Sequence, residues 1–147
     1  MTTTLRHAIK VAASRPHVFK ALADAGEMAA WHVGHVEGKI AVGSTFYLNP
    51  KPGLKFGWKT DEIVTNERLR QTCVEGPGSS VGKIVTFVLS DAGKDGTLVK
   101  LTDSGWIDGD ASLPFCDTQW GEVLLRLKEY AEKPSSLRLR SRARTRF

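Results

Sequence analysis

Apolar and polar residues alternate along most of the chain, and a three-to-four step replaces that alternation only near its C-terminal end. Leu5, His7, Ile9 and Val11 alternate with Arg6, Ala8 and Lys10, which predicts a first strand. The stretch SRPH at 14–17 reads as a helix start: Ser14 can accept from an orphan N–H, and Pro16 is tolerated in the first turn. Val18, Phe19 and Leu22 form the buried side of that helix, Ala25 and Gly26 end it, and a second short helix is expected over 27–31. Strands are expected at 35–40, 44–49, 55–64, 69–75 and 82–90, punctuated by Gly43, PKPG at 50–53, Thr65 and Asn66, GPG at 76–78 and the segment 91–96. A seventh strand over 96–106 alternates Val99 and Leu101 with Lys100 and Thr102. Residues 108–114 read as a loop, with Ser112 as helix N-cap. Cys116, Gln119, Trp120, Val123, Leu124, Leu127 and Tyr130 then make one helical stripe, which should stop near Lys133, before Pro134.

Consecutive strands joined by short turns imply an antiparallel meander. A twisted sheet with one apolar face needs a cover, and the last helix is the one long amphipathic segment available for it. The expected class is therefore α+β: a curved sheet closed by a long C-terminal helix, with two short helices between strands one and two. Such an arrangement is a container.

Composition narrows this picture. The chain has 147 residues, enough for one domain with a proper core. No apolar run approaches the roughly 20 residues that span a bilayer, and MTTTLRHAIK has no apolar signal region, so a cytoplasmic location is expected. Cys73 and Cys116 fall in separate elements and read as free buried thiols. The net charge is +5, but five arginines (138, 140, 142, 144 and 146) lie in the last fourteen residues, and setting them aside leaves 16 basic against 16 acidic residues. The neutral body, 1–133, argues against nucleic acid as its ligand. The tail, 134–147, reads as a flexible, solvated segment, with phosphates of RNA or an acidic membrane as the functional alternative.

The ordered set of residues resembles the SRPBCC (START/Bet v 1-like) superfamily, in the branch similar to the C-terminal domain of activators of Hsp90 ATPase. The resemblance runs over residues 5–132. It rests on PHVFKALADA at 16–25, Ala30 and Trp31, Glu62 and Ile63, Gly96 and Thr97 with Val99, Leu101, Thr102, Ser104 and Gly105, and finally QWG at 119–121 with Leu124, Leu127, Lys128 and Tyr130. It implies a helix-grip fold: a seven-stranded antiparallel sheet wrapped on the long C-terminal helix, with a cavity between them. Family members bind lipids, hormones or polyketides, some are cyclases and some regulate Hsp90, so no single activity follows. A homodimer is consistent with the family. Two positions depart from its pattern: His32 stands where a second aromatic is common, and Asp103 where the Thr-x-Ser-Gly turn often has histidine.

Trp31, Phe46, Phe56, Trp58, Phe87, Trp106 and Trp120 are spread over the elements expected to face that cavity, with Cys116, Gln119 and Val123 beside them; they either wall a pocket or fill the core. Glu62 shares a strand phase with Trp58 and Thr60, so it points inward as an acid or base with a raised pKa unless a bulge shifts the register; otherwise it is a solvated or paired strand residue. His32 is the other catalytic candidate. His32 and His35 lack the further nitrogen or sulfur ligands that structural zinc wants, so no metal is expected, and the absence of phosphate-binding, dinucleotide and nucleophile-elbow motifs gives no cofactor. The expected function is binding of a small hydrophobic or aromatic ligand between sheet and helix. The alternatives are a cyclase or hydrolase acting on a polyketide-like substrate, with Glu62 or His32 as acid–base, and a chaperone-regulator-like interaction module.

Overall fold

Strand alternation and the helical stripe resolve into seven strands and three helices in the computed structural model, which describes residues 1–133. The arginine-rich tail expected to be flexible lies outside the described residues. The order is β1 (Thr2–Val11), α1 (Arg15–Ala23), α2 (Ala25–Trp31), β2 (His35–Gly38), β3 (Thr45–Lys51), β4 (Leu54–Val64), β5 (Arg68–Glu75), β6 (Ile84–Asp91), β7 (Thr97–Ile107) and α3 (Leu113–Glu132). The sheet runs β1-β7-β6-β5-β4-β3-β2, and every neighbouring pair is antiparallel. From β2 to β7 the chain is a meander; β1 closes on the far edge beside β7, so α1 and α2 carry the chain from one edge of the sheet to the other. The expected α+β helix-grip class is what forms.

Two local expectations are corrected. Ala25 and Gly26 do not end the first helix; they open the second. Asp24 makes the break, because its side chain accepts from the Glu27 amide at 3.0 Å and starts a new N-terminus. Neither Ser14 nor Ser112 caps through its side chain. Ser112 already has helical dihedrals, φ −81° and ψ −16°, so its hydroxyl is not aimed at the first-turn amides. Asp110 instead accepts from the Ser112 amide at 2.8 Å.

The core lies between the sheet and the C-terminal half of α3. Val11, Val18, Leu22, Leu69, Val99, Leu101 and Leu127 are all buried to within 1 % of full coverage. Each aliphatic side chain of that size is worth about 1.5–3 kcal/mol of burial. Leu124, Leu127, Tyr130 and Ala131 are the buried residues of α3, and they set it against β1, α1 and α2. Tyr130 also donates its hydroxyl to Glu27 of α2. The N-terminal half of α3 is different. Only Leu113, Cys116, Trp120 and Val123 there are even half-buried, and Phe115 is 78 % exposed. The helix grips the sheet at one end and roofs a space at the other.

A β-bulge in β7 shapes that space. Thr3 pairs with Trp106 and Leu5 with Asp103, so β7 carries one residue more than β1 across this interval. Gly105, at φ +94°, absorbs it. In an unbroken strand Asp103 and Trp106 would face opposite sides. Here both turn inward, and both are buried. At the other end of the space, Gly34 (φ +81°) approaches β3 so closely that a Cβ would stand 1.9 Å from the Asn49 carbonyl oxygen. That contact fixes the turn carrying His32.

Candidate functional site

Under the first half of α3 lies a solvent-connected cavity of about 100 Å³. Its floor is the inward row of β3 and β4, Leu48, Pro50, Phe56 and Trp58, with Cys73 of β5 and Asp103 and Trp106 of β7. Cys116, Gln119, Trp120 and Val123 of α3 form the roof, spaced three and four residues apart along one helix face. His32 closes one side, and Ser80 and Lys83, from the segment between β5 and β6, close another. A smaller space of about 30 Å³ adjoins it, lined by Trp31, Phe46 and Phe87 among others and sharing His32, Leu48, Trp58, Trp120 and Val123. All ten side chains expected at a cavity thus line one of the two spaces. Seven surround the larger one; Trp31, Phe46 and Phe87 sit deeper, around the smaller. Trp31 is held there by its indole N–H, which donates to the Ala21 carbonyl at 2.9 Å. Gln119 is exposed and stands at the rim.

Polar groups gather at one end. Asp103 is 3 % exposed, and its Oδ2 accepts from the Trp120 indole N–H at 2.8 Å. Burial pushes its carboxyl above the ordinary aspartate value, against the pull of the Trp120 and Trp106 N–H groups and the charge of Lys83. Lys83 is 7 % exposed; its ammonium donates to the Ser79 carbonyl at 2.6 Å and lies 4.8 Å from the centre of the Trp106 ring. The Trp106 N–H acts on the Asp103 carboxyl, yet the contact falls short of a hydrogen bond. Among the described residues, Asp103 Oδ1 and Trp106 Nε1 are the two buried side-chain polar atoms without a partner. The thiols of Cys73 and Cys116 line the same space, and burial pushes both up, with the nearby Asp103 charge adding to it. They are neutral thiols rather than nucleophiles.

Glu62 is the main correction to the expected site. Thr60 pairs with Gln71 and Glu62 with Arg70, so Asp61 is an extra residue on β4 and the strand's phase changes there. Thr60 stays inside, fully buried, while Glu62 turns out and takes a hydrogen bond from Arg68 at 2.6 Å. That guanidinium holds the Glu62 carboxyl below the usual carboxylate range, the reverse of a raised-pKa acid. Asp61 itself accepts from the Thr72 hydroxyl.

His32 does reach the cavity. Its Nδ1 lies 3.1 Å from the Val33 carbonyl oxygen. A carbonyl only accepts, so Nδ1 carries the hydrogen in the neutral ring and Nε2 keeps its lone pair. Burial lowers the pKa of this imidazole. His35 is exposed, with its Nε2 3.7 Å from Glu37. Among the described residues no three His, Cys, Asp or Glu side chains converge as a metal site would require.

Neither Lys83 nor Asp103 is among the side chains expected to wall the cavity. Asp103 had a legible signal: it continues the phase of Val99 and Leu101, an acid in an apolar row. Lys83 has none, because its burial depends on how the segment before β6 folds over Trp106.

Residues 12–132 match the family described as Activator of Hsp90 ATPase homolog 1-like protein. Among solved structures, the chain is similar to the Aha1 dimer from Colwellia psychrerythraea, at 25 % identity and TM-score 0.80 over 88 % of this chain and 96 % of that one. It has the fold of CalU16 from Micromonospora echinospora, at 19 % identity and TM-score 0.75 over 98 % of this chain and 84 % of that one. The same fold is found in DynU16, from the dynemicin biosynthetic locus, at 21 % identity and TM-score 0.74, where 88 % of this chain covers 47 % of the other. No curated protein matches the sequence. No helix among the described residues is long and apolar enough to cross a membrane.

Proposed function

Since the chain belongs to the Activator of Hsp90 ATPase homolog 1-like protein family, a branch of the SRPBCC superfamily, we propose that it binds a small aromatic or hydrophobic molecule under the N-terminal half of α3. The observation that carries this reading is the cavity itself: about 100 Å³, walled by Phe56, Trp58, Trp106 and Trp120, with one polar end. An apolar cavity of about 150 Å³ accepts a benzene ring; this one is smaller but open to solvent, so part of a ring fits inside while the rest of the ligand reaches toward the rim. Apolar contact contributes about 25 cal/mol per Å² removed from water, before the costs of association. Self-association belongs to the proposal on the likeness to the Colwellia dimer.

A cyclase or hydrolase has less support, because Glu62 is outside the cavity and tied to Arg68. Of the two acid–base candidates, only His32 lines it. A pure interaction module calls for a filled core, which an open aromatic cavity disfavours.

Native mass spectrometry of freshly purified protein, followed by organic extraction, tests the binding reading. A co-purified aromatic or hydrophobic molecule, or saturable thermal stabilisation by members of a library of aromatic compounds, is the expected result. An empty protein that no member of that library stabilises would overturn it.

A further inference from the structure

The polar end of the cavity selects one chemical group. Trp106 Nε1–H is a buried donor in need of an acceptor, and Asp103 Oδ1 is a buried acceptor in need of a donor. Both side chains are 3 % exposed and both line the larger cavity. Leaving buried polar atoms unpaired is costly, so the groups that pair them are strongly preferred. The bulge at Gly105 brings the two side chains onto one face, and the Trp106 N–H acts on the Asp103 carboxyl, drawing its pKa down against the effect of burial.

The local charges restrict the pairing group further. Asp103 and Lys83 lie together and offset each other, so the site does not call for a charged ligand. A carboxylate would bring a second anion against Asp103 Oδ1. An ammonium would bring donors against the Trp106 N–H. An ether or ketone oxygen would satisfy Trp106 and leave Asp103 unpaired. A hydroxyl does both, accepting through oxygen and donating through hydrogen.

Building on the binding role proposed above, we infer that the cavity takes a neutral, hydroxyl-bearing aromatic ring whose hydroxyl accepts from Trp106 Nε1–H and donates to Asp103 Oδ1. The ring lies between Phe56, Trp58 and Trp120. The other half of the Asp103 carboxylate remains fixed by Trp120 at 2.8 Å, so the accepting oxygen is held in place before the ligand arrives.

Three probes of nearly equal shape separate the possibilities: naphthalene, 2-methoxynaphthalene and 2-naphthol, titrated into the wild-type protein and followed by the indole ¹⁵N–¹H resonances. 2-Naphthol should bind at least about tenfold more tightly than either analogue, the ratio expected for hydrogen bonding to a buried charged group, and should shift the Trp106 indole signal. In Asp103→Asn the amide turns its oxygen to Trp120 and its NH₂ to the ligand, so the preference for 2-naphthol over 2-methoxynaphthalene should disappear while both still bind. Equal affinity of all three probes for the wild type would overturn the hydroxyl inference and leave the cavity reading standing. Equal affinity of 2-naphthol and 2-methoxynaphthalene, both above naphthalene, would also overturn it, since Asp103 would then receive no donor. Failure of all three to bind would overturn the hydroxyl inference, and the extraction and library screen described above then decide the binding reading.

Discussion

Trp120→Phe removes one N–H from the polar end of the cavity and leaves a ring of similar shape on α3. The lost group donates to Asp103 Oδ2 at 2.8 Å, and the carboxylate it served is 3 % exposed. Hydrogen bonds to charged groups in such surroundings are worth about 1.5–3 kcal/mol. The six-membered ring can keep its edge-on contact with Phe87, now at a centroid distance of 6.2 Å and 79°, so most of the loss should come from the hydrogen bond. A double-mutant cycle isolates it: urea unfolding of the wild type, Trp120→Phe, Asp103→Ala and the double variant, compared at constant m-value. The two single losses should be non-additive by about 1.5–3 kcal/mol near neutral pH. The cycle also has a definite pH dependence. Burial raises the folded-state pKa of Asp103 above its unfolded value, so the folded protein binds the proton more tightly. Asp103's contribution to stability is thus fully present below the unfolded pKa and is lost as the pH rises through the folded one. Trp120→Phe raises the folded pKa further, so its deficit is largest at neutral pH and shrinks on acidification. A coupling below about 0.5 kcal/mol at neutral pH, or a deficit that grows on acidification, would refute the role assigned to Trp120.

Three further outcomes are expected. Glu62→Gln should leave the affinity for 2-naphthol unchanged within twofold by titration; a larger loss would place Glu62 at the site after all. His32 should titrate below the ordinary value of 6.5 by NMR, and its contribution to stability, present above the unfolded pKa, should be lost as the pH falls through the lowered folded pKa and be missing in His32→Gln; a pKa above 6.5 would contradict its burial. Gly34→Ala should destabilise the fold by more than about 2 kcal/mol in urea unfolding, because a positive φ alone costs about 1–2 kcal/mol and the new Cβ would meet the Asn49 carbonyl at 1.9 Å; a neutral result would mean that the turn before β2 shifts freely.

The sequence by itself determined the elements and their order. Alternation in β7 and the stripe in α3 are local signals: they depend on strand and helix periods, and every residue of the chain carries its share. From seven strands in meander order and one long amphipathic helix, the gripped sheet and the aromatic character of its interior both followed. Tertiary structure decided what the periods cannot encode. The bulge at Asp61 turned Glu62 outward to Arg68, and the bulge at Gly105 turned Trp106 inward beside Asp103. A bulge is one extra residue opposite a partner strand, so it exists only in the pairing of two segments, and it reverses the face of every residue beyond it. The same holds for Lys83, whose burial depends on a ring more than twenty residues away. The container was legible because periodicity is local. Its chemistry was not, because the polar groups that define it are positioned by register.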